Sequence, residues 1–304
     1  LDPAHLQKRQ DFMGSAPHLF HENATNPHRW ACNGEIYLCL SSLEHNAPWL
    51  RKIWIVVDDQ SPDLSRLSAA LQAKIHLVDH TAIFANHGAT LPTFNSLAIE
   101  TFLWNIPGLS DRFIYFNDDV FLTAPCHQAD FFTKRGPILR GAWADFSALQ
   151  DDPVQMADPA KFNHYMQLNA AGLCGMPPER LFRAAHVAHP CSRRTMAQLH
   201  TRFNAAFRGN ARYQMRDIRQ FSPQSLHNYA CILHKTAKLH PIKDHHHIYS
   251  GQGVGAADGT IPALLQNLLD TPDLKMLCVN DLPQLEALYP DIRNWLAQLL
   301  TGAP

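Results

Sequence analysis

Three polar residues sit where an apolar run ends. Phe113-Ile-Tyr-Phe-Asn-Asp-Asp-Val-Phe121 carries a β-rich stretch straight into Asn117, Asp118 and Asp119. In an open α/β sheet, ligands gather at the carboxyl ends of the strands. Two adjacent carboxylates there repel each other and lose hydration unless a cation lies beside them. Hard oxygen donors next to a polyphosphate suit Mg²⁺ or a similar ion. The competing reading is a solvated strand-to-turn junction whose Asp caps the next element, and the tripeptide alone does not separate the two. His245-His246-His247 invites a second metal reading. Side chains alternate along a strand, however, so the three cannot all face one ion. A surface or strand segment is expected there. The seven cysteines form neither a CxxC pair nor a zinc-finger spacing, which points to reduced, mostly buried thiols in a cytosolic protein.

The elements that must position these residues alternate. Residues 35–45 carry apolar side chains at helical spacing and stop before Pro48. Residues 53–57 are a continuous β-branched run, as for a strand buried on both faces. Ser61-Pro62 is expected to open a helix reaching about residue 72, with a strand over 75–78 and a helix over 93–104 capped by Thr93. Residues 112–116 form the strand before the Asn-Asp-Asp run. Units of this order imply an α/β fold: a mostly parallel sheet flanked by helices. Beyond residue 140 the pattern turns helical, at 195–207, 223–234, 262–269 and 283–300, with short β-rich pieces at 246–249 and 276–279. The expectation is one domain over 1–304: an α/β core at 1–140, then a helical elaboration over 141–304 that returns to the sheet near 276–281.

Composition narrows the classes. With 304 residues, 46% hydrophobic and 17% charged, the chain is neither disordered nor a charge-rich coiled coil. The 26 basic and 27 acidic side chains leave a net charge of −1, so no global field draws it to nucleic acid or an anionic bilayer. No apolar stretch approaches a membrane span, and no signal peptide is evident. The first residue is Leu rather than Met, and residues upstream are expected to be missing.

A longer composite carries a resemblance. Leu91-Pro-Thr-Phe-Asn-Ser-Leu-Ala-Ile-Glu100, Ile106-Pro-Gly-Leu-Ser110 and Phe113-Ile-Tyr-Phe-Asn-Asp-Asp-Val120 follow one another in order. Arg29-Trp-Ala-Cys-Asn-Gly-Glu35 and Ala47-Pro-Trp-Leu-Arg-Lys-Ile-Trp-Ile-Val-Val57 precede them. His186-Val-Ala-His-Pro190, Arg216 with Ser222-Pro223, and Met276-Leu-Cys-Val-Asn-Asp281 follow. Together they resemble the Stealth family, the sugar-1-phosphate transferases of bacterial capsule and exopolysaccharide synthesis, related to the animal phosphotransferase that tags lysosomal enzymes. Four features depart from that pattern. Leu1-Asp2-Pro3 resembles the residues just after the family's first strand, Ser42 replaces a frequent arginine, Asp59 a common glycine, and Gln220 a usual acidic residue.

The resemblance implies transfer of a hexose-1-phosphate from a nucleotide diphosphate sugar, usually UDP-linked, to a sugar hydroxyl, with release of UMP. That step needs charge neutralised on the diphosphate, an in-line hydroxyl and a proton acceptor. It implies a divalent ion, Mg²⁺, on Asp118, Asp119 and Asn280. His186, Arg216 and Asp119 become the catalytic candidates: His186 takes the hydroxyl proton and Arg216 grips phosphoryl oxygens bidentately. Arg29, Asn33, Asn95, Ser96, Asn117 and His189 are the substrate-binding candidates, Asn95 and Ser96 through a helix N-terminus. Each has a plainer alternative: a hydrogen-bonded loop histidine, a solvated arginine, a cap. The implied partners are a nucleotide-sugar donor and a glycan acceptor, with no nucleic acid. The implied place is the bacterial cytoplasm, peripheral at the inner membrane beside other capsule-synthesis proteins. Two further classes stay open, a metal-dependent glycosyltransferase releasing UDP and a non-catalytic sugar-nucleotide binding protein.

Overall fold

The structure, a computed structural model, describes residues 3–14, 17–26, 30, 33–150, 152–248, 260–271 and 273–301. Among the described residues, eleven short strands thread through helices in a mixed α/β arrangement. They are β1 (Ile53–Val57), β2 (Ile75–Asp79), β3 (Arg112–Tyr115), β4 (Val120–Leu122), β5 (Ile138–Leu139), β6 (Gly141–Ala144), β7 (Leu181–Ala184), β8 (His189–Ser192), β9 (Lys238–Leu239), β10 (His245–Ile248) and β11 (Met276–Val279).

The α/β class is as expected, but the sheet is divided. Parallel pairs are β1–β2, β5–β9 and β10–β11, while β4–β11, β3–β8 and β6–β7 are antiparallel. Strands β1 and β3 do not pair. A cavity of about 1830 Å³ separates them, walled by both strands and by residues of the helices Glu35–Asn46 and Ser96–Phe102. Strands of the second half pair with strands of the first: β8 with β3, and β11 with β4.

Local chemistry sets several boundaries away from the periodicity. The expected helix over 61–72 is a 3₁₀ turn at Leu64–Arg66 and a single turn at Ala69–Gln72, because Asp63 and Ser68 each cap their own start. Asn95 rather than Thr93 caps the helix Ser96–Phe102, its carbonyl accepting the Leu97 N–H at 3.1 Å. The stretch 283–300 splits into Leu282–Leu288 and Ile292–Thr301, since Pro290 pushes Tyr289 out of the helical region to φ −133°. The stretch 195–207 likewise splits at Phe203.

The core around the site is built on β4, β10 and β11, covered by the helices Glu35–Asn46 and Ile292–Thr301. Val120, Phe121, Leu122, Met276, Leu277 and Cys278 are fully buried there, each large apolar side chain contributing about 1.5–3 kcal/mol. Ser42 is buried in this packing: its hydroxyl donates to Cys39 O at 2.7 Å and accepts Leu122 N–H at 3.1 Å. The position where the family often carries arginine is here a weld between helix and strand. Asp59 holds φ 52°, the left-handed region natural to the glycine usual at that turn, and its N–H donates to Asp79 Oδ2 at 2.9 Å. Among the described residues no helix is long and apolar enough to cross a membrane.

Candidate active site

Four backbone ends converge beside Asp119. β3 runs out through Asn117 and Asp118 into β4. Asp119 O accepts Val279 N–H at 2.9 Å, and Asn280 N–H donates to Ile248 O at 2.8 Å, so the ends of β10 and β11 meet the Asn-Asp-Asp turn. The fourth contributor, His186, comes from the turn just before β8.

Side chains then join in sequence. Asn280 Nδ2 donates to Asp119 Oδ2, and Asn280 Oδ1 lies 2.5 Å from His247 Nε2. His186 Nε2 is 3.8 Å from Asp119 Oδ1 and 3.0 Å from Asn117 Nδ2. Asn117 Oδ1 accepts from the Tyr115 hydroxyl, which is also 2.9 Å from Glu100 Oε1. Gln224 Nε2 donates to Glu100 Oε2 at 2.8 Å. Burial pushes the Glu100 pKa up, against the pull of Gln224 and Arg216. Burial and Glu100 together push Tyr115 well above its ordinary value.

The adjacent carboxylates face different surroundings. Asp118 lines the cavity between β1 and β3 with Ser96, Arg216 and Asn117. Its side chain is open to the cavity, yet the protein mass around that cavity and the neighbouring charges of Asp119 and Glu35 push its pKa up to about 6. Arg216 reaches the same cavity, its Nη2 donating to Ser96 Oγ at 2.6 Å and its Nη1 to Asn23 Oδ1 at 3.3 Å. Asp119, by contrast, is held against Asn280.

Other expected contacts are used differently. The Asn95 amide is spent inside the protein, donating to Tyr213 O, Met215 O and Gln220 Oε1 at 2.8–2.9 Å. Asn95 and Gln220 therefore pin the segment that carries Arg216 onto the helix start, and the substitution at Gln220 is part of that clamp. Asn33 borders the cavity, but its amide donates to Glu286. His189 opens β8 opposite Tyr115, ring stacked on ring at 6.3 Å. Burial, with His186 and His227 nearby, pushes its pKa down to about 3, so it is neutral at ordinary pH. Arg29 lies outside the described residues.

Sequence reasoning missed His247 and Cys278. The expected strand is present as β10, yet His247 is turned into this centre, its ring edge-on to His186 at 5.2 Å. His247 pairs in register with Cys278 across β10–β11. Cys278 is fully buried, and burial with Asp119 and Asp118 raises its thiol pKa well above the ordinary value. Strand alternation separates His246 from the pair His245 and His247, but only the register, a long-range fact, says which of them meets Cys278.

Comparison with known proteins bears on this geometry. The model of Stealth protein CR2, conserved region 2, matches residues 29–139. An exopolysaccharide phosphotransferase of Streptomyces coelicolor is 30% identical over 291 residues, 94% of this chain and 45% of that protein. The chain belongs to the Stealth family. A second exopolysaccharide phosphotransferase of the same organism is 30% identical over 296 residues, covering 92% of this Stealth chain and 49% of the relative. The capsular polysaccharide phosphotransferase LcbA of Neisseria meningitidis is 38% identical over 131 residues, 43% of this chain and 34% of its own. This Stealth chain spans about half the length, or less, of these relatives.

Proposed function

We propose that this Stealth chain moves a hexose-1-phosphate from a nucleotide diphosphate sugar, UDP-linked, to a sugar hydroxyl in capsule or exopolysaccharide synthesis. The observation that supports this best is the meeting of Asn117, Asp119 and His186, of which Asn117 also lines the cavity together with Asp118 and Arg216. In this reading Arg216, fixed by Ser96, grips the diphosphate and draws charge from its oxygens. His186 accepts the acceptor hydroxyl's proton as the new oxygen–phosphorus bond forms. The bond from the same phosphorus to the bridging oxygen breaks, and UMP carries away that electron pair.

A divalent cation, Mg²⁺, would be held by the carboxylates of Asp118 and Asp119 and would neutralise diphosphate charge. The raised pKa of Asp118 beside two other carboxylates is what a cation would relieve. Asn280 fits less well as a ligand, because its carbonyl oxygen already meets His247.

The nucleotide product tests the reading. Protein incubated with UDP-sugars, glycan acceptors and Mg²⁺ should release UMP. Release of UDP would make it a glycosyltransferase, and tight donor binding with no product would make it a binding protein.

A further inference from the structure

Beside Asp119, three donor atoms of a kind that Mg²⁺ does not favour come together. One side-chain atom each of His186, His247 and Cys278 lies within 4.8 Å of the other two. Nitrogen and sulfur donors select zinc and its neighbours, whereas Mg²⁺ demands oxygen in octahedral array. The placement is built by the fold. The register of β10 on β11 sets His247 directly beside Cys278, and the turn before β8 brings the His186 ring edge-on to His247.

A second observation concerns tautomers. A carboxylate only accepts, so Asn280 Nδ2 is the atom that donates to Asp119. Its Oδ1 is thereby left facing His247 Nε2 at 2.5 Å, and that nitrogen must carry a proton. The His247 lone pair is then on Nδ1. An amide or carboxylate that takes one ring N–H is the usual outer support of a metal-binding histidine.

We propose that His186, His247 and Cys278 form a zinc-class metal site, with Asp119 as fourth donor and Asn280 as its outer support. Tetrahedral zinc with bonds of about 2.0–2.3 Å places its ligands roughly 3.3–3.8 Å apart. The His186–Asp119 separation of 3.8 Å is at the wide end of this range, and the three-residue group, now within 4.8 Å, closes by up to about 1–1.5 Å. Binding releases the Cys278 thiol proton to solvent, and the metal takes a lone pair of His186. Resting on the phosphoryl-transfer reading, zinc occupancy and proton acceptance by His186 then exclude each other, so zinc inhibits where Mg²⁺ supports.

Cobalt(II) reports the ligand set without any assay of transfer. Reduced, metal-free protein titrated with Co²⁺ should show one equivalent bound, with intense tetrahedral d–d bands and a thiolate-to-cobalt charge-transfer band. Zn²⁺ should displace it, and a large excess of Mg²⁺ should not. Cys278→Ala and Cys278→Ser, each checked for native circular dichroism, should lose the charge-transfer band. Asn280→Ala should weaken binding roughly 10–100-fold. An unchanged thiolate band in both Cys278 variants, octahedral cobalt without thiolate, or displacement by Mg²⁺ at equal concentration would each overturn the site. The inhibition arm is separate. If the protein transfers no sugar phosphate, the functional reading fails while the cobalt spectrum still decides the site.

Discussion

Asn117 Nδ2 lies 3.0 Å from His186 Nε2, and this contact assigns the imidazole's proton. The Tyr115 hydroxyl donates to Asn117 Oδ1, so the amide nitrogen faces His186. A ring nitrogen that accepts there carries its lone pair on Nε2 and its proton on Nδ1. The Tyr115 hydroxyl also lies 2.9 Å from Glu100 Oε1, and burial pushes the Glu100 pKa up against the pull of Gln224 and Arg216. Glu100, Tyr115, Asn117 and His186 are thus linked in one run of hydrogen bonds.

Glu100 and Tyr115 are then positioning residues for His186. Tyr115→Phe should let the Asn117 amide turn over, move the His186 proton to Nε2 and lower turnover roughly 10–100-fold, the usual cost of losing such an outer partner. Glu100→Gln keeps a hydrogen-bond partner for the Tyr115 hydroxyl and should stay close to wild type. Nitrogen-15 NMR of the His186 ring reads the tautomer directly, and an unmoved tautomer in Tyr115→Phe would refute the relay. His186→Ala should cost about 10²–10⁴ in turnover and erase the acidic limb of the pH–rate profile.

Arg216 should be intolerant of conservative exchange. Its guanidinium is held by Ser96 and Asn23 at the cavity wall, and burial lowers its pKa while Glu100 opposes. Arg216→Lys loses the planar fork and should cost about 10²–10³ in kcat/KM, with weaker UDP-sugar binding by calorimetry. Ser96→Ala should show the same loss in smaller measure. Donor affinity unchanged in Arg216→Lys would remove the arginine from the diphosphate.

The strands that carry these groups were legible from local composition, because a continuous β-branched run needs no knowledge of its partner. Residues 53–57 are a strand as expected but not buried on both faces: every residue of β1 is only half-buried, because the cavity opens along it. What failed was pairing. Strand β3 finds β8 antiparallel rather than a parallel neighbour across the cavity, and no local periodicity encodes that choice. His247 and Cys278 were read separately, as strand and buried thiol, since their adjacency exists only in the β10–β11 register. Asn95 shows the reverse error: a residue type suited to ligand contact is consumed by three internal acceptors. Glu100 and Tyr115 gave no signal alone, because their role lies in bonds to each other and to Asn117.

A buried ion pair fixes the strand that bears His247. Arg140 forms a bidentate pair with Asp244, both bonds 2.7 Å, with side chains 1% and 7% exposed. Asp244 O also receives Lys275 N–H at 2.8 Å, just before β11. Asp244→Ala leaves the guanidinium buried without its carboxylate and should cost about 3–5 kcal/mol in urea unfolding. The Asp244 pKa is held well below the ordinary range: burial opposes this, but His245 and the bidentate Arg140 beside the carboxylate overcome it. That stability is present above the unfolded pKa of about 4 and drains away as pH falls further. The variant should therefore lose the acid-side decline below about pH 4.

Asp118 has the opposite sign. Its pKa is raised to about 6 against about 3.9 in an unfolded chain, so the folded state binds the proton more tightly. Its ionisation costs stability above pH 6, and the cost disappears as pH falls through the window between 6 and 4. Asp118→Asn should therefore melt at a higher temperature than wild type at pH 7.5, with the gap closing by about pH 4. Mg²⁺ added at pH 7.5 should raise the wild-type Tm and leave the variant nearly unmoved, because a cation offsets the same repulsion from Asp119 and Glu35. Calorimetric scans with and without Mg²⁺ at both pH values decide it. An equal Tm for the two proteins at pH 7.5, or equal stabilisation by Mg²⁺, would place the strained carboxylate and the cation elsewhere in the site.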